Sequence, residues 1–185
     1  MTSEDIRTVY LRDIARTYRN YKALGERAMA QVSDADLHRQ MDPDSNSIAI
    51  IAKHLAGNLL SRFTGFLTTD GEKATRNRDG EFEMPDPVTR AQILEWWESG
   101  WAVALAAIDG LTPEDLDRTI YIRAEPFLAL ESLNRLVSHA AYHVGQMVFL
   151  AKHFAGPDWT SLSIPKNRSA DVGTGTYKQG IIPKA

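Results

Sequence analysis

Apolar residues recur with a helical period in four long stretches of the chain. In the first, Ile6, Val9, Tyr10, Ile14, Tyr18, Tyr21 and Leu24 form a one-sided stripe, the spacing of a helix that buries one face. This helix is expected to begin at Thr2 or Ser3, with Glu4 and Asp5 in a first turn where negative charge is favoured, and to run to about Ala30. A second helix, from about Ser47 to Leu67, carries Ile48, Ile50, Ile51, His54, Leu55, Leu59, Leu60 and Phe63, with Thr69-Asp70-Gly71 as its stop. A third, from about Thr89 to Ile108, carries Ile93, Trp96, Trp97, Trp101, Val103, Leu105 and Ile108 ahead of Asp109-Gly110. The fourth runs from about Ala129 to Phe154, where Gly156-Pro157 terminates it.

The segments between these stretches read differently. Residues 33–37 look like a short capped turn. Thr112-Pro113 is a cap followed by proline at a first helical position, the start of another short turn. Thr119-Ile120-Tyr121-Ile122 is β-prone and admits a small hairpin, with Pro126-Phe127 as its end. From Gly71 to Pro87 the composition shifts to charge with Gly and Pro, a long exposed connection of the sort that carries function. The last stretch, residues 166–185, is expected to be an irregular tail behind a single domain over 1–165. Four long helices with almost no strand signal predict an all-α four-helix bundle, whose long connections permit a crossover topology.

Composition narrows the function. At 185 residues, 43% hydrophobic and 24% charged, the chain suits one domain with a sizeable core. A net charge of -3 gives no electrostatic reason to expect nucleic acid. There is no cysteine, so disulfides and a thiolate nucleophile are excluded, and a metal would have to use His, carboxylate or water. No signal peptide and no membrane-length apolar run is visible; a cytoplasmic protein is the expectation.

The strongest chemical signal is Ser138-His139-Ala140-Ala141-Tyr142-His143 in the fourth helix. Side chains four apart share a helix face, with Cβ atoms about 5–6 Å apart, so two imidazoles there can chelate one ion. A third ligand must come from another element. His54 is the candidate, because an ionisable ring in the apolar stretch Ile50-Ile51-Ala52-Lys53-His54-Leu55 needs a partner if buried. Bundles build metal sites in this way, from facing helices. The competing reading makes His54 a core histidine bonded to a backbone carbonyl and leaves the other two on the surface. Asn58, Ser61 and Arg62 follow His54, and Gln146 follows His143, as candidate pocket groups. No Glu or Asp is placed by the sequence beside the histidines as a general base, unlike an HExxH site. Trp96, Trp97 and Trp101 of the third helix read as packing before they read as a substrate platform, and Gly145 as a point of close helix approach.

These features resemble the DinB/YfiT-like family of metal-dependent bundle proteins, on His54 and on Ser138-His139-Ala140-Ala141-Tyr142-His143-Val144-Gly145-Gln146. An uncharacterised subgroup is matched by Lys53-His54-Leu55-Ala56-Gly57-Asn58, by residues 66–73, by Arg76-Asn77-Arg78-Asp79 and by Leu162-Ser163-Ile164-Pro165. The resemblance implies a homodimeric four-helix bundle with zinc or nickel on three histidines. Within the family it extends to transferases that join a low-molecular-weight thiol to a small electrophile. A metal-dependent hydrolase and a non-catalytic metal-stabilised stress or interaction protein stand as alternatives. Asn58, Arg62 and Gln146 are expected to orient a small-molecule substrate. The loop from Gly71 to Pro87 is expected to fold back toward the metal and offer Arg76 and Arg78 to an anionic substrate. The opposite reading of that loop is a solvated charge run balanced by Glu72, Asp79, Glu81 and Glu83.

Overall fold

The computed structural model describes residues 4–84, 86, 88–168 and 170. Helix α1 spans Ile6–Met29, the short α2 Asp34–His38, α3 Ile48–Phe63, α4 Arg90–Asp109 and α5 Ala129–Ala155. A two-stranded antiparallel hairpin, β1 Thr119–Ile122 and β2 Glu125–Leu128, precedes α5. Four long helices pack as an all-α bundle, a fold consistent with a DinB-like helical bundle. The hairpin expected between the third and fourth helices is present. Its second strand contains Pro126 and Phe127, which pair with Tyr121 and Ile120 and do not end the segment.

Short polar side chains start the helices where the chain turns inward. Ser47 Oγ accepts from the Ile50 amide at 3.2 Å, Ser33 Oγ from Asp36 at 3.1 Å, and Thr89 with Gln92 closes a reciprocal cap on α4. At α1 the cap is Asp5, whose carboxylate accepts from the Arg7 amide at 3.0 Å. The helix therefore begins at Ile6, later than the expected Thr2 or Ser3, which lie outside the described residues. A cap needs non-helical backbone, so Asp5 stands before the first turn and not in it.

Helix α3 also ends earlier than its periodicity suggested. Phe63 is its last residue, and Gly65 sits at φ +61° with its carbonyl accepting from the Thr68 and Thr69 amides, both at 2.9 Å. Left-handed backbone is accessible to glycine without Cβ strain, so the chain leaves the helix axis there. By residue 71 it lies against the helix it left, the Gly71 carbonyl accepting from Ser61 Oγ at 2.8 Å and from the Arg62 guanidinium.

The core is built from all four long helices. Tyr18 of α1, Phe63 of α3 and Trp97 and Trp101 of α4 are each at most 2% exposed. Tyr18 meets Phe63 edge-on at 5.7 Å between ring centroids. A Cβ on Gly25 would lie 2.5 Å from the Trp97 ring, and one on Gly100 2.7 Å from Ala56 Cα. Two glycines thus set how closely α4 approaches α1 and α3. Trp97 and Trp101 face this core, the packing role expected of them. Gly145 is not a point of helix contact: among the described residues, nothing lies within 4 Å of where its Cβ would be. No helix among the described residues is long and apolar enough to cross a membrane.

Candidate metal centre

Helix α3 is buried nearly all round, and its buried polar residues from His54 onward fall on one side of it. His54, Asn58, Ser61 and Arg62 are each at most 9% exposed and sit at helical offsets of four, three and one. On α5, His139 and His143 are one turn apart and face this line. The result is a histidine cluster in which one ring nitrogen from each of His54, His139 and His143 lies within 4.8 Å of the others.

Hydrogen bonds orient two of the rings. His54 Nδ1 is 2.8 Å from Glu81 Oε2. Burial alone would push the Glu81 carboxyl up. Bonds from His54 and Arg76 outweigh it and hold the group below its ordinary value. An ionised carboxylate can only accept, so Nδ1 carries the proton, and in the neutral tautomer this leaves the lone pair on Nε2. His143 Nδ1 likewise donates to Gln146 Oε1 at 2.9 Å, which turns its Nε2 lone pair inward. Burial pulls the His139 pKa down to about 3, assisted by the neighbouring His143, His54, Arg76 and Arg62. Burial and His54 pull His143 down to about 4. At neutral pH both rings are uncharged, the form that ligates metal.

The geometry fits a divalent ion. His54 Nε2 and His139 Nε2 are 3.3 Å apart. Two nitrogens each about 2.0–2.1 Å from a tetrahedral zinc would be about 3.3 Å apart. Three imidazoles and no carboxylate among the facing ligand atoms match a site that keeps a position open for an external ligand. The cluster is therefore capable of coordinating a divalent metal ion.

The turn Asp79–Phe82 covers the cluster from outside. Phe82 lies over the His54 ring, 4.5 Å between centroids and tilted 30°. Glu81 fits beside α3 because residue 57 has no side chain: a Cβ there would be 2.3 Å from Glu81 Oε1. Arg76 grips the same carboxylate, Nε to Oε1 at 2.7 Å and a terminal nitrogen to Oε2 at 2.8 Å.

Sequence reasoning found no acid beside the histidines, and the structure corrects this: Glu81 is bonded to one of them. Glu81 stands 27 residues from His54 in a charged loop, where nothing in local spacing separates it from Glu72, Asp79 or Glu83. The loop does return to the site, as expected of it. Its cations are placed differently from one another. Arg76 is turned inward, its side chain 4% exposed and paired with Glu81 and Glu72. Arg78 is half-exposed, beside Asp79 and over the Phe82 ring. Arg62 bonds Glu72 at 2.9 Å and the Gly71 carbonyl, tying the loop to α3. Asn58 lies one turn beyond His54, its Oδ1 buried and without a hydrogen-bond partner among the described residues. Gln146 lines a groove of about 520 Å³ with Asn46, Ile51, Tyr142, Gly145 and Phe149. His38 is elsewhere, its Nε2 2.8 Å from the Val88 carbonyl, and among the described residues His153 is not part of the cluster.

Fold and site together define a class: an all-α bundle carrying a three-histidine, metal-binding triad on facing helices, consistent with the broader DinB-like superfamily. The chain itself belongs to the DUF1572 family, described as proteins of unknown function, which it matches over residues 5–168. No curated protein matches it.

Proposed function

We propose that the chain is a divalent-metal-dependent enzyme that binds one zinc or nickel ion through the Nε2 atoms of His54, His139 and His143 and transfers a low-molecular-weight thiol to a small electrophile. The observation that carries the metal is the convergence of three imidazole nitrogens within 4.8 Å, two of them on rings whose outer nitrogen is already bonded. When bound, such an ion lowers the pKa of a thiol or water and so supplies a nucleophile at neutral pH.

The chain's own groups then bind and orient. Gln146 holds the His143 ring and also lines the groove, so its side chain joins ligand and substrate regions. Asn58 Oδ1 offers an unpartnered acceptor one turn from His54. Arg78 is the loop cation with exposed surface for an anionic substrate. Arg62 and Arg76 serve the site from behind, through ion pairs that hold the loop. No carboxylate among these groups is free to act as a base, because Glu81 is bonded on both oxygens. That favours chemistry in which the nucleophile forms without a protein base.

The test is metal content after purification and dialysis. The intact chain should retain about one equivalent, and His54→Ala and His139→Ala should retain little. Full stoichiometric retention by either variant would remove that histidine from the site. With the metal established, thiol-dependent consumption of a model electrophile supports transfer; turnover indifferent to thiol supports hydrolysis.

A further inference from the structure

We propose that Glu81 is a positioning residue for the metal, and that Arg76 keeps its carboxylate outside the coordination sphere. This rests on the reading of His54, His139 and His143 as ligands. Glu81 reaches the site only through His54, whose Nδ1 it holds at 2.8 Å. A carboxylate accepting from the outer nitrogen of a ligating imidazole fixes the tautomer and raises the basicity of the inner nitrogen. Three neutral imidazoles leave a divalent charge uncompensated, and the ionised Glu81 behind one of them offsets part of it.

A buried carboxylate so near a divalent ion has an alternative, which is to swing inward and become a ligand itself. The Arg76 fork opposes that. It holds Oε1 at 2.7 Å and Oε2 at 2.8 Å, the two-point grip that planar guanidinium makes on carboxylate. Arg76 is in turn held from behind, 3.5 Å from Glu72, which also binds Arg62 and Arg123. Gly57 supplies the space in which the carboxylate lies. The consequence is that the positions not taken by histidine stay open to an external ligand.

A purely structural role for this pair would pin the loop to α3 and nothing more. Zinc affinity by chelator competition, cobalt(II) absorption, histidine 15N shifts of the zinc-loaded protein and thermal melting separate the two. Glu81→Gln should weaken zinc binding by about 10–100-fold and move the His54 nitrogen shifts. Arg76→Gln frees Glu81 to enter the coordination sphere, so the cobalt d–d bands should lose intensity as the coordination number rises. The double variant Arg76→Gln/Glu81→Gln cannot ligate in this way. It should recover the band intensity while keeping the weakened zinc affinity, and because neither partner of the Arg76–Glu81 pair is left charged without the other, it still reads the zinc affinity and the His54 shifts if a single variant fails to fold. Variants that melt lower but match the intact protein in zinc affinity, cobalt spectrum and His54 shifts would overturn the proposal. Should the intact protein itself take up no cobalt, the histidine reading fails first; should it take up cobalt and the variants not differ, only this inference falls.

Discussion

Gly57 is the residue through which the backbone of α3 controls the position of Glu81, and Gly57→Ala tests that directly. A Cβ at residue 57 would stand 2.3 Å from Glu81 Oε1 and 2.7 Å from its Cδ, where ordinary contact begins at 3.4 Å. The carboxylate must retreat by about 1 Å, enough to take a 2.8 Å bond past the useful hydrogen-bond range. Losing one hydrogen bond to a charged group costs about 1.5–3 kcal/mol. Alanine returns up to about 1 kcal/mol through its better helix propensity. The metal-free variant should therefore be less stable by about 1 kcal/mol and melt about 2–4 °C lower. Zinc affinity should fall by about tenfold or more, since the bond that slackens is the one orienting His54. Gly145→Ala is the control. Among the described residues nothing lies within 4 Å of a Cβ at that helix position, so it should gain up to about 1 kcal/mol from propensity alone and leave zinc affinity unchanged. Calorimetry and chelator competition on both variants suffice. If Gly57→Ala melts as high as Gly145→Ala and binds zinc like the intact chain, the packing argument for Glu81 is refuted.

Acid should destabilise the metal-free protein through its histidines. The His139 and His143 pKa values, about 3 and about 4, lie below the ordinary 6.5, so the unfolded chain binds more protons over that interval and stability rises with pH there. Urea midpoints should fall as pH drops from 6.5 toward 4, and His139→Phe or His143→Phe should flatten that slope; an unaltered slope in both would contradict the cause. The hairpin turn carries Arg123 at φ +57° and Ala124 at φ +60°, backbone that costs a non-glycine residue about 1–2 kcal/mol, with both amides bonded to the Asp70 carboxylate at 2.9 and 2.7 Å. Ala124→Gly should raise the melting temperature by about 2–4 °C, and a lower one would show that the turn is not strained as described.

Much of the bundle was legible because its signals are local. The stripe from Ile6 to Leu24, the helix starts near Ser47 and Thr89 and the stop at Gly156 each follow from neighbouring residues and helical period, and the structure keeps them within a few positions. The pairing of His139 with His143 is of the same kind, since four residues on one helix fix their separation whatever the helix packs on. The end of α3 was misjudged because apolar residues continue through Phe66 and Leu67, both packed on the core, while the backbone has already turned at Gly65. Periodicity records which side chains are buried and does not distinguish a helix from a turn that buries the same ones.

Glu81 is placed by contacts between distant segments. Its value lies in a 2.8 Å contact across 27 residues, and that contact depends on three separate conditions: the turn at Gly65 that sends the loop back, the missing side chain at residue 57, and the grip of Arg76. None of these leaves a mark in the spacing around Glu81 itself. Local spacing sets which faces of the helices are apolar and puts two imidazoles on one of them, because both follow from the rise and twist of a single helix. His54 was marked out as the third imidazole by its apolar setting, but which of several loop carboxylates stands behind it depended on distances between elements, set by how side chains of different sizes fill the space between α3, α4 and α5.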